Sequence, residues 1–217
     1  MKKTLTLFIM LLALFALAQP VQAKPIKNVI VETEYYDDIE ELKFPQVKHA
    51  GTPKLTRKIN KDFKDYIEKA AAMRKQNEEA GRKYGYKPDF QTEFEVKYNT
   101  DGKLSVLMSS YIFTGGAHGS TVVESYNYDL KEKQRVYLTD ILQTPGQQEK
   151  VKQYVYTYAK ARPEIFYPDL KKEDIPLDEK TAFFYTDNGI ALVFQQYEIA
   201  PYVSGNQVIK IPMKVYS

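Results

Sequence analysis

The sequence has no cysteine. That absence excludes disulfide staples, thiolate nucleophiles and cysteine-ligated metals together. Tryptophan is also missing, and histidine occurs only twice, at His49 and His118. Two histidines without a His-Glu-x-x-His spacing leave no zinc signature, so no metal and no cofactor is expected. No serine sits in a Gly-x-Ser-x-Gly elbow, which removes the plainest signal for a serine hydrolase. Excess charge is scarce as well. The formal net charge is +3, and it falls to +1 once Lys2 and Lys3 are set aside with the leader. Nucleic-acid binding draws on a large basic excess that releases counterions from phosphates, so nucleic acid is not an expected partner. Beyond residue 23 no apolar run approaches the ~20 residues that cross hydrocarbon.

What the chain does have is an ordinary globular composition, 43% hydrophobic and 27% charged, which excludes wholesale disorder. Its tyrosine content is high, 18 residues beside 11 phenylalanines. Tyrosine joins an apolar ring to a polar tip and suits half-buried strands and wet binding faces. Residues 1–23 read as a secretion signal: basic Lys2 and Lys3, an apolar stretch from Leu5 to Ala18, and a Val21-Gln22-Ala23 cleavage site. The stretch is too short to span a bilayer, so the mature chain is expected outside the cytoplasm without a membrane span.

Periodicity then lays out the elements. Asn28–Tyr36 alternates as a strand, and Glu40–Val47 is its natural partner, with Pro45 at an edge. Thr52-Pro53 opens a helix, since threonine supplies an N-cap oxygen and proline at the first position forfeits only an N–H that had no partner. Leu55, Ile59, Phe63, Tyr66, Ile67 and Ala70 form its apolar stripe. Arg74–Glu79 is polar all round and is expected in solvent, with Gly81 closing the helix. Phe90–Tyr98 and Lys103–Phe113 make a hairpin about Asp101-Gly102, and Thr121–Leu130 and Arg135–Leu138 follow as strands. A Thr144-x-x-Gln147 capping box starts a second helix, with Val151, Tyr154, Val155 and Tyr158 on one side and Pro163 at its end. Thr181–Thr186 and Ile190–Tyr197 form a hairpin about Asp187-Asn188-Gly189, and Val208–Val215 is a last strand with Pro212 at an edge. Helices do not alternate with strands, so the fold class is α+β: mostly antiparallel sheet with two main helices packed on it.

Two segments stand out chemically. Thr114-Gly115-Gly116-Ala117-His118-Gly119 carries three glycines in five residues, which permits close backbone approach and amides free to meet an anion or a sugar hydroxyl. Tyr197-Glu198-Ile199-Ala200-Pro201-Tyr202 runs into a proline turn flanked by tyrosines. Glu198 has two readings, an acceptor for turn amides or the partner of His118 in a groove. A glycan hydrolase using that pair, or two of Glu124, Asp140, Asp187 and Glu198, stands as the enzymatic alternative. A structural envelope protein is the ligand-free one.

The same segments resemble a known family. Tyr111-Ile112-Phe113-Thr114-Gly115-Gly116-Ala117-His118-Gly119, Tyr126-Asn127-Tyr128-Asp129-Leu130, Leu138-Thr139-Asp140-Ile141-Leu142, Phe184-Tyr185-Thr186-Asp187-Asn188-Gly189-Ile190 and Tyr197–Tyr202 are similar to the extracytoplasmic domains of the RsiV-like family. Phe44-Pro45-Gln46-Val47 and Ile59-Asn60-Lys61 resemble the domain that precedes them, one also found before peptidoglycan deacetylase domains. The resemblance implies paired α+β regions, 28–113 and 114–216, packed as one compact unit. It implies a non-enzymatic binding module whose partner is lysozyme or peptidoglycan, with no catalytic residues. No sigma-binding segment is recognised, so surface recognition is the part expected to carry over. The expected contact residues are Gly115, Gly116, His118, Gly119, Tyr197, Glu198 and Tyr202, brought together on one sheet edge or groove.

Overall fold

The computed structural model describes residues 28–217; the expected signal peptide lies outside the described residues. Strands β1 (Ile30–Tyr35) and β2 (Lys43–Lys48) pair as a ribbon. Helix α1 (Pro53–Tyr84) follows, then β3 (Asp89–Thr100), β4 (Lys103–Phe113), β5 (Ser120–Asp129) and β6 (Gln134–Val136) in one sheet in sequence order. A short helix α2 (Leu138–Ile141) and helix α3 (Pro145–Lys160) lead to β7 (Ala182–Thr186), β8 (Gly189–Phe194) and β9 (Gln207–Pro212), a second sheet. All three sheets are antiparallel, so the α+β architecture expected from the sequence is the one observed.

The layers follow from alternation. Thr52 Oγ1 accepts the Leu55 N–H at 3.2 Å, and Pro53 sits in the first turn of α1. All six residues of the α1 stripe are buried against Leu104, Val106 and Met108 of β4 and Tyr126 and Tyr128 of β5. The opposite faces of β4 and β5 carry Leu107 and Val123, which meet Ala182, Phe184, Ala191 and Val193 of the second sheet. The other face of β7 and β8, with Phe183, Tyr185, Ile190, Leu192 and Phe194, packs on Val151, Val155 and Ala159 of α3. Every residue of β8 is buried because its sheet is covered on both sides.

Polar side chains join the two sheets. The N–H of Phe183 donates to Ser125 Oγ at 3.1 Å, Asn127 Nδ2 donates to the Phe183 carbonyl at 2.9 Å, and the N–H of Tyr185 donates to Ser105 Oγ at 3.0 Å. Edge strand β7 thus finds its partners on the face of the first sheet rather than in another strand. A bulge in β3 after Val96 turns Tyr98 onto this same face, where its ring lies 6.1 Å from that of Tyr185.

Two expectations need correction. The end of α1 is packed, not projected into solvent: Asn77 is buried, and its Nδ2 donates to the carbonyls of Asp89 and Phe113. A polar residue satisfied by two strand ends is indistinguishable in sequence from one facing water. Gly81 lies inside the helix, where a Cβ would come within 2.8 Å of Pro88 and of the Tyr86 carbonyl; the left-handed cap is Gly85, φ +78°. Residues 113 and 114 lie where β4 leads into the loop before β5; the two strands pair in one sheet, and Tyr126 and Tyr128 of β5 and the following Leu130 join the α1 core.

Burial raises the pKa of Tyr66, Tyr126, Tyr128 and Tyr185 well above that of a free tyrosine, with the nearby carboxylates Glu124 and Asp62 adding to the shift at Tyr126 and Tyr128. The folded state therefore holds these four protons more tightly than the unfolded chain. The stabilisation is complete below the unfolded pKa of about 10 and is lost as pH rises beyond it. Alkaline titration followed by circular dichroism is expected to show cooperative unfolding beginning above that pH, with tyrosinate absorbance rising in the same transition. Tyrosinate absorbance for these residues appearing before unfolding would contradict their burial.

Candidate functional site

The site is made where the β4–β5 loop meets the chain leaving β8. Gly115 and Gly116 adopt φ +87° and +96°, the left-handed region that favours glycine, and they turn the chain between two paired strands. Gly119 lets the Tyr111 ring lie against the chain instead: a Cβ there would come within 2.4 Å of the far end of that ring, which would have to move. On the other side, Ile199 and Ala200 are buried in the α3 core, and Ser204 Oγ donates to the Ile165 carbonyl at 2.8 Å. Those anchors leave Tyr197 and Tyr202 outside. Tyr197 adopts φ +69°, a conformation that costs a bulky L-residue roughly 1–2 kcal/mol.

The two segments converge as expected. The His118 ring stacks on Tyr202 with centroids 3.7 Å apart and planes 19° from parallel. Tyr197 lies 5.8 Å from Tyr202, and its hydroxyl is 3.5 Å from His118 Nε2. His118 Nδ1 is 2.9 Å from the Gly119 carbonyl. Tyr197 is 54% exposed, so this aromatic cluster faces solvent. Side chains from the turn after β8 also tie the segments together. Gln196 Oε1 accepts the Thr121 N–H at 3.0 Å, and Gln195 both accepts from the Val123 N–H at 2.9 Å and donates to its carbonyl at 2.7 Å.

Glu198 does not join the cluster. Its Oε2 accepts the Gln195 N–H at 2.7 Å, the structural role weighed from sequence, and the His118 ring nitrogens are taken up by Gly119 and Tyr197. Glu198 lines a neighbouring cleft of 840 Å³ between the two sheets, together with Val122, Glu124, Arg135, Asp178 and Lys180. Burial there raises its pKa above the usual carboxylate value, and the charge of Asp178 adds to the shift. Arg135 is the residue sequence reasoning missed. Its guanidinium lies 4.1 Å over the Tyr126 ring and 5.1 Å from that of Tyr137, and Nη2 donates to the Ser125 carbonyl. The only available signal was an arginine two residues before a tyrosine. Among the described residues, no group of three or more His, Asp or Glu side chains could hold a metal ion. No helix among them is long and apolar enough to cross a membrane.

Comparison with known proteins matches this architecture to two families in tandem. The family described as deacetylase PdaC matches residues 31–121, and the protein of unknown function family DUF3298 matches residues 132–214. The peptidoglycan-N-acetylmuramic acid deacetylase PdaC of Bacillus subtilis (strain 168) is 25% identical over 127 residues, which are 57% of this chain and 27% of that protein. The chain thus spans little more than a quarter of the length of that relative. The uncharacterized protein YxiT of the same organism is 37% identical over 68 residues, 31% of this chain and 85% of YxiT. Two solved DUF3298 family structures share the fold. The one from Bacteroides fragilis NCTC 9343 has a TM-score of 0.57 at 18% identity, covering 86% of this chain and 88% of its own. The one from Pseudomonas aeruginosa PAO1 has a TM-score of 0.51 at 19% identity, covering 89% and 93%. This chain belongs to the YxiT family, and it joins a PdaC domain to a DUF3298 domain.

Proposed function

We propose that this protein is an exported, non-enzymatic recognition module that binds peptidoglycan or lysozyme outside the cytoplasm. The observation that carries the reading is the exposed cluster in which Tyr202 stacks on His118 beside Tyr197, framed by the turn at Gly115 and Gly116. Aromatic rings fixed by stacking give a large contact area at little entropic cost, and glycine amides beside them supply hydrogen bonds. The name of the relative PdaC supports a cell-wall ligand. The resemblance to the RsiV-like family supports lysozyme. Co-sedimentation with insoluble peptidoglycan and calorimetric titration with lysozyme separate the two.

Tyr202→Ala is expected to weaken whichever interaction is found at least tenfold, because truncating a central aromatic anchor costs about 2 kcal/mol. Tyr197→Ala is expected to weaken it less while leaving the fold intact, since that ring is mostly exposed. No retention and no heat with either ligand would remove the reading and leave the structural envelope role.

A glycan hydrolase has one observation in its favour: Glu124, Asp178 and Glu198 line the same cleft. Each is already engaged, however. Glu198 holds the Gln195 amide, Asp178 holds the amides of Lys180 and Thr181, and Glu124 accepts a hydrogen bond from the Tyr126 hydroxyl. Release of soluble glycan fragments by the wild type and its loss in Glu198→Gln would reverse the order of the two readings.

A further inference from the structure

The cleft beside the aromatic cluster has an unusual wall. Strand β5 runs from Ser120 to Asp129, but its neighbour β6 pairs only with Asn127, Tyr128 and Asp129. Beyond β6, the outward backbone of β5 is met by side chains. Arg135 Nη2 donates to the Ser125 carbonyl, the Gln195 amide makes a reciprocal pair with Val123, and Gln196 accepts from Thr121. The Val123–Gln195 pair reproduces the two-bond exchange of a narrow pair in an antiparallel ladder. Three alternate positions are thus completed by side chains where the next strand would otherwise continue. Asn60 makes the same reciprocal pair with Val47, and Asn99 with Val29, but both of those valines are buried. Val123 instead lies in the wall of the 840 Å³ cleft.

We propose that this cleft is a docking site for an extended peptide segment bearing basic side chains, which adds to the edge of β5 in place of the Gln195 and Gln196 side chains. A strand-adding ligand draws affinity from main-chain hydrogen bonds and specificity from alternate side-chain pockets. The edge of β5 beyond β6, Ser120 to Ser125, is about 20 Å long at the usual rise, enough for a peptide of strand length once the two glutamine side chains swing away, and its Val122–Ser125 part lines the cleft. The sign of the ligand's charge follows from the lining. Glu124, Asp178, Glu179 and Glu198 line the cleft with two cations, Arg135 and Lys180, a formal excess of two negative charges (4 − 2). Alternate basic side chains along the added strand share one face, the face of Glu124, at the two-residue spacing of the pleat. The residues between them fall on the opposite face of the added strand, the side of Val123, which also lines the cleft and provides apolar contact.

The test uses the full mature chain and a synthetic eight-residue peptide of alternating lysine and valine, blocked at both ends. Binding is followed by anisotropy, and the amide signals of Thr121, Val123 and Ser125 by nuclear magnetic resonance. The expected result is saturable binding that shifts those three amides. Affinity should fall at least tenfold when alternate peptide amides are N-methylated, and by a similar factor when lysine is replaced by glutamate. Gln195→Ala with Gln196→Ala should bind the lysine peptide several-fold more tightly, because the competing side chains are gone. Binding that ignores N-methylation, or that shifts residues away from both β5 and the cleft, overturns the proposal. So does the absence of binding in both the wild type and the doubly substituted chain. Retention of peptidoglycan or lysozyme by the aromatic cluster is read separately through Tyr202→Ala, so each reading fails on its own measurement.

Discussion

Phe63→Ala is expected to lower stability by about 3–5 kcal/mol, the usual cost of truncating a fully buried aromatic. Phe63 is wholly enclosed at the centre of the α1 stripe, and its ring meets Tyr126 at 5.6 Å and Tyr128 at 6.3 Å, both edge-on. Truncation removes the transfer free energy of the ring and leaves a cavity between one helix and two strands. Those two strands are held from both sides. Tyr128 also donates its hydroxyl to Asp62 Oδ2 at 2.8 Å, which fixes its ring against α1 and resists collapse into the void. For a chain of this size the melting temperature should fall by roughly 10 °C. Thermal denaturation by circular dichroism measures it. A loss under about 1 kcal/mol would mean that α1 is not packed on the first sheet as described.

Asn127→Leu, combined with Ser105→Ala, is expected to cost a further kind of stability, the joint between the two sheets. Both residues are fully buried, and both serve backbone groups of β7. The leucine leaves the Phe183 carbonyl without its donor, and the alanine leaves the Tyr185 N–H without its acceptor. A buried polar group left unpaired costs about 1–3 kcal/mol, so the pair should cost about 2–5 kcal/mol. Hydrogen exchange distinguishes this from general destabilisation. The amide of Tyr185 should exchange much faster in Ser105→Ala alone, while the amides of β8, which pair within their own sheet, should change little. Equal acceleration throughout β7 and β8 would show that the joint is not local. Because β7 lines the cleft through Ala182 and Phe183, the doubly substituted protein should also lose affinity for any ligand held there.

Local elements were largely legible from sequence because their causes are local. The Thr52-Pro53 start, the Thr144–Gln147 box and the Asp101-Gly102 turn each declare themselves within four residues, and the structure has all three. The apolar stripe of α1 was readable to the residue because a helix buries one face at a fixed period. The Gly115–Gly119 loop and the Tyr197–Tyr202 segment were visible as unusual sequences, and their meeting was expected through a resemblance.

The sequence by itself determined the α+β class, the two capped helices and the turns, since propensity, capping and periodicity act over a few residues. Only the tertiary structure decided which polar residues were buried and what they held. Asn77, Ser105 and Asn127 carry no mark that separates them from surface residues, because each bonds to backbone more than ten positions away in the chain. It also decided that β5 belongs with the first sheet, that a bulge turns Tyr98 toward the second, and that Glu198 faces a cleft instead of His118. These outcomes depend on long-range pairing, which no short window of sequence contains.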